Sequence, residues 1–363
     1  MTRNQIWTFL APVVALGFAL FIEHLEHDAV SGVLLMLAAP LLLLAVFSAV
    51  HHAELVSHKI GQPFGSILLA LAVTVIEVSL IVSVLIADPS GDSPVARDTV
   101  FAAIMIVLNG IVGLCLLVGG IRYHEQGFQG RGATAALGVL GTLAVLGLVL
   151  PNFTVERPGP VYAPAQLVFV AIVSLSLYAL FLFVQMFKHK DDFLDASSAS
   201  SQEHAGHAEP VPARTVALSA IMLPVALVAV VMLAETLAAP VDAKIEAAGL
   251  PDALLGVVIA LMVLLPEGVA SIRAAMQNHI QTSLNLALGS ALASLCLTIP
   301  TVAVISVMQG KTLILGLAAE HMVLLLLTLF MSTLSLATGR TTMMQGGIHL
   351  VIFAAFIAIS ILP

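Results

Sequence analysis

Charged side chains are scarce in this chain. Only 9% of its 363 residues are Asp, Glu, Lys or Arg, where a soluble globular domain carries about 25%. That shortage excludes a water-soluble globular protein. The thirteen Lys and Arg are dispersed and form no basic patch, so no nucleic-acid partner is expected. The formal charge of -8 says little about partners, because in a membrane protein the placement of Lys and Arg matters more than their sum. Cysteine is nearly absent. Cys115 and Cys296 both fall inside apolar runs, where they read as small packing residues rather than as a disulfide.

What the chain has instead is apolar length. Hydrophobic residues make up 60% of it, and about 20 consecutive apolar residues suffice to cross a hydrocarbon core of roughly 30 Å as a helix. Eleven such segments are predicted, at residues 6–22, 29–50, 64–87, 99–120, 134–150, 165–187, 214–234, 252–272, 283–308, 313–333 and 346–362. The first is not a signal peptide, because Glu23-His24-Leu25-Glu26-His27-Asp28 offers no small-residue cleavage site. The expectation is an all-α polytopic membrane protein.

Placing the N-terminus in the cytoplasm puts Arg3, Lys59, Arg122, Arg131, Lys188, Lys190, Arg214, Arg273 and Arg340 inside, and Arg97, Arg157, Lys244 and Lys311 outside. Nine against four follows the positive-inside bias, so the C-terminus is expected outside. Glu23, Glu26, Asp28, Asp88, Asp92 and Asp98 then populate the outer loops.

One break in composition stands out. Residues 188–213 run from Lys188-His189-Lys190-Asp191-Asp192 through a Ser/Ala stretch to Glu203-His204-Ala205-Gly206-His207, and read as a flexible His- and acid-rich linker. It divides the chain into a first helix with its loop (1–28), a first repeat (29–187) and a second repeat (214–363). Leu114-Cys115-Leu116 in the fourth span matches Leu295-Cys296-Leu297 in the ninth, which sets Asn109 opposite Ser290. With five spans per repeat, an odd number, the second repeat enters the membrane from the opposite side. That inverted duplication is a secondary-transporter architecture, with sites near the midplane at the repeat interface.

Each half also carries one acid in mid-span. Val73-Thr74-Val75-Ile76-Glu77 and Val263-Leu264-Leu265-Pro266-Glu267 lie 190 residues apart. An ionised carboxylate at bilayer depth costs roughly 2.5–3.5 kcal/mol on insertion scales, and no Lys or Arg sits at comparable depth to offset it. The two acids are expected to face each other across a pseudo-two-fold axis as a cation and proton site.

These residues resemble a known group. His52-Ala53-Glu54-Leu55-Val56-Ser57-His58-Lys59-Ile60-Gly61-Gln62-Pro63-Phe64-Gly65-Ser66 leading into Glu77, Leu265-Pro266-Glu267-Gly268, and Asn285-Leu286-Ala287-Leu288-Gly289-Ser290-Ala291-Leu292-Ala293-Ser294 are similar to signatures of the calcium/cation antiporter superfamily. Within it they resemble the bacterial sodium(potassium)/calcium-proton branch of the cation/proton exchangers. Tyr178 with Gln185, Thr338-Gly339-Arg340-Thr341, Gly347 and His349 support the match. The resemblance implies one helix plus two inverted repeats of five in a bacterial plasma membrane. It further implies exchange of Ca2+, Na+ or K+ for H+, with Glu77 and Glu267 as the functional acids and no cofactor. Many members place Gly-Asn before each acid, where this chain has Val73-Thr74 and Val263-Leu264, so those side-chain oxygens are missing from the implied ligand set.

Two carboxylates cannot by themselves satisfy a hard cation, which takes six to eight oxygens in the case of calcium. Thr74 shares the helix face of Glu77, and Asn109, Ser290 and Ser294 are candidate neighbours. Pro266 lacks an N–H, which leaves the Met262 carbonyl as a further candidate. Glu320 with His321 early in the tenth span, and His51, Glu54 and His58 on one face of the second, are candidate proton relays or ion entrances. Two other classes stay open on the residues alone. A metal-dependent intramembrane hydrolase is suggested by His51, His52, Glu54 and His58, although no His-Glu-x-x-His is present. A cation channel would also place acids in its path.

Overall fold

The computed structural model describes residues 6–24, 32–60, 72, 74–79, 81–82, 94–193, 212–251 and 253–362. Among these, ten helices are long and apolar enough to cross a membrane. They are α1 (Ile6–Glu23), α2 (Gly32–Ile60), α4 (Val95–Tyr123), α5 (Gly130–Phe153), α6 (Pro164–Lys188), α7 (Ala213–Ala247), α8 (Ala253–Met276), α9 (Ile280–Gln309), α10 (Ala319–Leu336) and α11 (Met343–Ile361). Residues 74–79 form a helical segment, α3, inside the expected third span. The rest of that span, and residues 194–211 of the expected linker, lie outside the described residues.

The chain divides into two compact units, one of residues 1–87 with 207–255 and the other of residues 88–206 with 256–363. In the first, α2 packs along α7 and α1 packs on both. His52 of α2, fully buried, makes the link: its Nε2 lies 2.9 Å from the Thr8 carbonyl of α1 and its Nδ1 lies 3.1 Å from Ser219 Oγ of α7. A carbonyl only accepts, so Nε2 carries the proton and Nδ1 accepts from the serine.

In the second unit, α4 packs on α11 and α9 on α6; α10 meets α11 and α5 meets α6; α9 meets α5 and α4 meets α10. Exchanging helices 4, 5 and 6 for 9, 10 and 11 turns each of these pairs into its mate, and leaves the remaining pairs, α4 with α9 and α5 with α10, unchanged. The connections obey the same rule. Strand β1 (Glu125–Gly127), between α4 and α5, pairs antiparallel with β2 (Arg340–Thr342), between α10 and α11. At the other end of α5, Val161 bridges Ile314. The packing is therefore that of an inverted duplication.

Small residues permit the closest approaches. A Cβ on Gly120 would come within 2.7 Å of Met343 Cα, so α4 and the start of α11 meet backbone to backbone. Cys115 and Cys296 are buried free thiols, in the packing role expected of them. Tyr162, in the α5–α6 connection, donates its hydroxyl to the Leu146 carbonyl, and burial pushes that phenol up to about 12.

Two expectations need correcting. The tenth helix starts at Ala319, not at 313. Gly310 ends α9 in the left-handed region at φ 65°, and the following segment is held extended by Leu315 and Gly316 N–H groups donating to Pro160 O and by Leu317 N–H donating to Leu148 O. Asp98, expected among the outer-loop acids, lies in the first turn of α4 and is 5% exposed. Its carboxylate accepts from Arg97 Nε at 2.7 Å, and Arg97 also donates to Gly316 O. An acid in a first turn complements the helix dipole, and here α8 lies close over it, since a Cβ on Gly256 would come within 3.0 Å of Asp98 Cβ.

Candidate membrane cation site

Glu77 is 2% exposed and Thr74, three residues earlier on the same face of α3, is 4% exposed, while Val75 between them is 40% exposed. The helix therefore turns its oxygen-bearing face inward and an apolar face outward. Glu267 is 4% exposed on α8, next to Val263 and Leu264 at 1% and 2%. The α8 helix runs through Pro266, whose missing N–H cannot satisfy the carbonyl of half-buried Met262. Both acids are thus held within apolar spans, where an uncompensated negative charge is costly.

In the second unit, α8 lies against α4 next to Glu267: a Cβ on Gly268 would meet the Ile111 side chain at 3.2 Å. Ile111 ends a π-helical turn, Ile106–Ile111, that carries Asn109. Such turns insert an extra residue and redirect side chains, often at functional positions. Asn109 is fully buried. Its Nδ2 donates to Thr328 Oγ1 of α10 at 2.9 Å, and its Oδ1 lies 3.0 Å from His349 Nδ1 of α11. The α9 helix packs on this π turn; on α9, Ser294 is 3% exposed and Ser290 half-buried.

The other candidates separate. Glu320 is exposed in the first turn of α10, whereas His321 is half-buried with its ring 4.9 Å from that of Phe101. On α2, His51 and Glu54 are half-buried; the His58 side chain lies outside the described residues. His52, which packs between α1 and α7, is the histidine of that stretch with two polar partners. Sequence reasoning did not join Thr328 or His349 to Asn109. A histidine in an apolar span was the available signal; a lone threonine gives none.

Among the described residues, no three His, Cys, Asp or Glu side chains come together to hold a metal ion.

The chain matches the sodium/calcium exchanger protein family over residues 30–187 and 218–362. A Sinorhizobium fredii protein named as an ionic transporter is 49% identical, over 99% of this chain and 96% of its own length. The sodium-potassium/proton antiporter ChaA of Escherichia coli is 33% identical, over 98% of this chain and 96% of its own. A crystal structure of the Ca2+/H+ antiporter protein YfkE superposes with a TM-score of 0.73 at 16% identity, covering 98% of this chain and 99% of that one. With two buried membrane acids, an inverted duplication, and these matches along nearly its whole length, the chain belongs to the sodium/calcium exchanger protein family.

Proposed function

We propose that this protein is a secondary antiporter that exports Ca2+, Na+ or K+ from the cytoplasm in exchange for H+. The observation that carries the reading is the burial of one carboxylate in each half, Glu77 on the helical segment 74–79 and Glu267 on the membrane-crossing helix α8. An empty, ionised acid at that depth is unfavourable. Either a proton or a cation neutralises it, so the two compete for the same oxygens. A carrier that reorients readily when loaded and reluctantly when empty and charged converts that competition into obligatory exchange.

In this reading Thr74, Asn109, Ser290, Ser294 and the Met262 carbonyl supply neutral oxygens, while Glu320, His321, His51, Glu54 and His58 serve ion entry or proton transfer. The distribution of Lys and Arg supports a cytoplasmic N-terminus in a bacterial plasma membrane. The two repeats are assigned to residues 29–187 and 214–363, joined by the 188–213 linker. The names of the E. coli relative and of the YfkE structure support cations and protons as the exchanged pair.

The test uses everted membrane vesicles, acidified inside by respiration and followed with a pH-sensitive dye. Added Ca2+, Na+ or K+ should collapse the gradient with saturating dependence in the wild type, and in neither Glu77→Gln nor Glu267→Gln. Normal responses in both variants would refute the carboxylate mechanism. Non-saturating flux without proton coupling would indicate a channel.

A further inference from the structure

Where α4, α10 and α11 meet, a closed set of polar side chains is withdrawn from any surface: Asn109, Thr328 and His349 are 0% exposed and Ser335 is 2% exposed. Their hydrogen bonds have one consistent direction. Asn109 Nδ2 donates to Thr328 Oγ1. Thr328 Oγ1 then donates to Met105 Sδ at 3.4 Å. With the amide nitrogen so placed, Asn109 Oδ1 is the acceptor toward α11, and His349 must donate to it from Nδ1 at 3.0 Å. Its other nitrogen, Nε2, is left to accept from Ser335 Oγ at 3.2 Å. Each group thus fixes the next, and the chain ends by setting which face of the Asn109 carboxamide carries oxygen.

We infer that His349 is a positioning residue for cation binding, holding Asn109 so that its carboxamide oxygen rather than its NH2 is available to the transported ion. The inference rests on the reading of Asn109 as a cation ligand. An amide oxygen has two acceptor directions; His349 occupies one and leaves the other. Released from this clamp, the carboxamide can rotate and present its donors, which repel a cation. The π turn adds to the need for a clamp, because it carries Asn109 out of the regular α-helical register.

The mirrored helix crossing, at a different pair of positions, shows what a merely structural link looks like. Where α6 meets α9, Ser174 Oγ donates to the Cys296 carbonyl at 3.0 Å. That bond ties two helices through a backbone atom and orients no side chain. Nothing in the packing scheme therefore demands a histidine at the α4–α11 crossing.

The experiment measures half-saturating cation concentration and maximal rate in everted vesicles carrying the full chain, with whichever of Ca2+, Na+ or K+ drives exchange. His349→Phe, which fills the space without a donor, is expected to raise the half-saturating concentration roughly five- to tenfold, the worth of one hydrogen bond, with a maximal rate within about twofold of wild type. His349→Gln, able to donate to Asn109, should recover most of that affinity, and Ser174→Ala should leave it at the wild-type value. In an Asn109→Ala background His349→Phe should have no further effect, because its target is gone. Independent, multiplying effects of the two substitutions would overturn the inference, as would wild-type affinity in His349→Phe. Should His349→Phe fail to reach the membrane, Ser335→Ala, which releases Nε2, takes its place: a raised half-saturating concentration supports the clamp and an unchanged one sinks it. Exchange that survives Glu267→Gln would defeat the parent reading instead, so the two failures are distinguishable.

Discussion

Gly346 sits where α11 crosses α4, and a methyl group there has no room. A Cβ built on it would lie 2.7 Å from Leu117 Cα and 2.8 Å from Gly113 O. Both are backbone atoms, which no rotamer change can move aside. Carbon atoms settle at about 3.5–4.0 Å, so Gly346→Ala requires α11 to retreat from α4 by about 1 Å. His349 lies one turn further along α11, and its 3.0 Å bond to Asn109 would stretch out of hydrogen-bonding range. Overpacking of this kind costs roughly 1–3 kcal/mol. The neighbouring residue provides the control. Gly347 has nothing within 4 Å of a built Cβ, so Gly347→Ala keeps the interface and adds up to about 1 kcal/mol of helix propensity. The assay is the thermal unfolding midpoint of each purified variant in detergent, followed by the cation dependence of proton exchange. Gly346→Ala should unfold at a lower temperature and bind cation more weakly; Gly347→Ala should do neither. Equal midpoints for the two variants would refute the close-approach reasoning.

Two further outcomes follow from the ion pairs. Asp98→Asn removes the buried charged acceptor that half-buried Arg97 Nε holds at 2.7 Å, and should lower thermal stability by roughly 1–3 kcal/mol, read as a lower midpoint; an unchanged midpoint would show that the pair contributes nothing. Arg340→Ala breaks the 3.2 Å contact with Glu125, whose partners are 76% and 51% exposed. Solvent screening limits that loss to less than about 1 kcal/mol, so its midpoint should stay close to wild type.

The burial of Glu77 and Glu267 was legible because a carboxylate in an apolar run stands out against its surroundings, and the expense of leaving it in lipid turns it inward. Asn109 was legible on the same ground. Its partners were not: the bonds to Thr328 and His349 join residues 219 and 240 positions apart, and a threonine in a membrane helix usually bonds back to its own carbonyls. Asp98 was misread because charge alone was used to place it in a loop, while its fate is decided by Arg97 beside it and by Gly316 far along the chain. The late start of α10 has a similar cause. Residues 313–318 are apolar enough for a span, but their N–H groups find carbonyls at Leu148 and Pro160 before a helix can form. Three-residue strands such as β1 and β2 carry too short an alternation to register as a pattern at all.

Duplication of the backbone did not bring duplication of the chemistry. The helix contacts of the second unit map onto themselves when the repeats are exchanged, yet the residue three before Glu77 is Thr74 and the residue three before Glu267 is Leu264. The fourth helix breaks into a π turn at Asn109, while α9 remains α-helical through Ser290 and Ser294. One crossing is held by a histidine on a carboxamide, its mate by a serine on a carbonyl. These facts belong together on the exchanger reading. A carrier that opens to one side and then to the other needs two end states of similar energy, which equivalent backbone packing provides through its inverted repeats. It does not need each half to donate the same ligands, because an ion is held by the sum of its oxygens wherever they originate. Selection on packing thus keeps the halves alike, and selection on the ion is free to make them differ, as they do at residues 74, 109, 264 and 290.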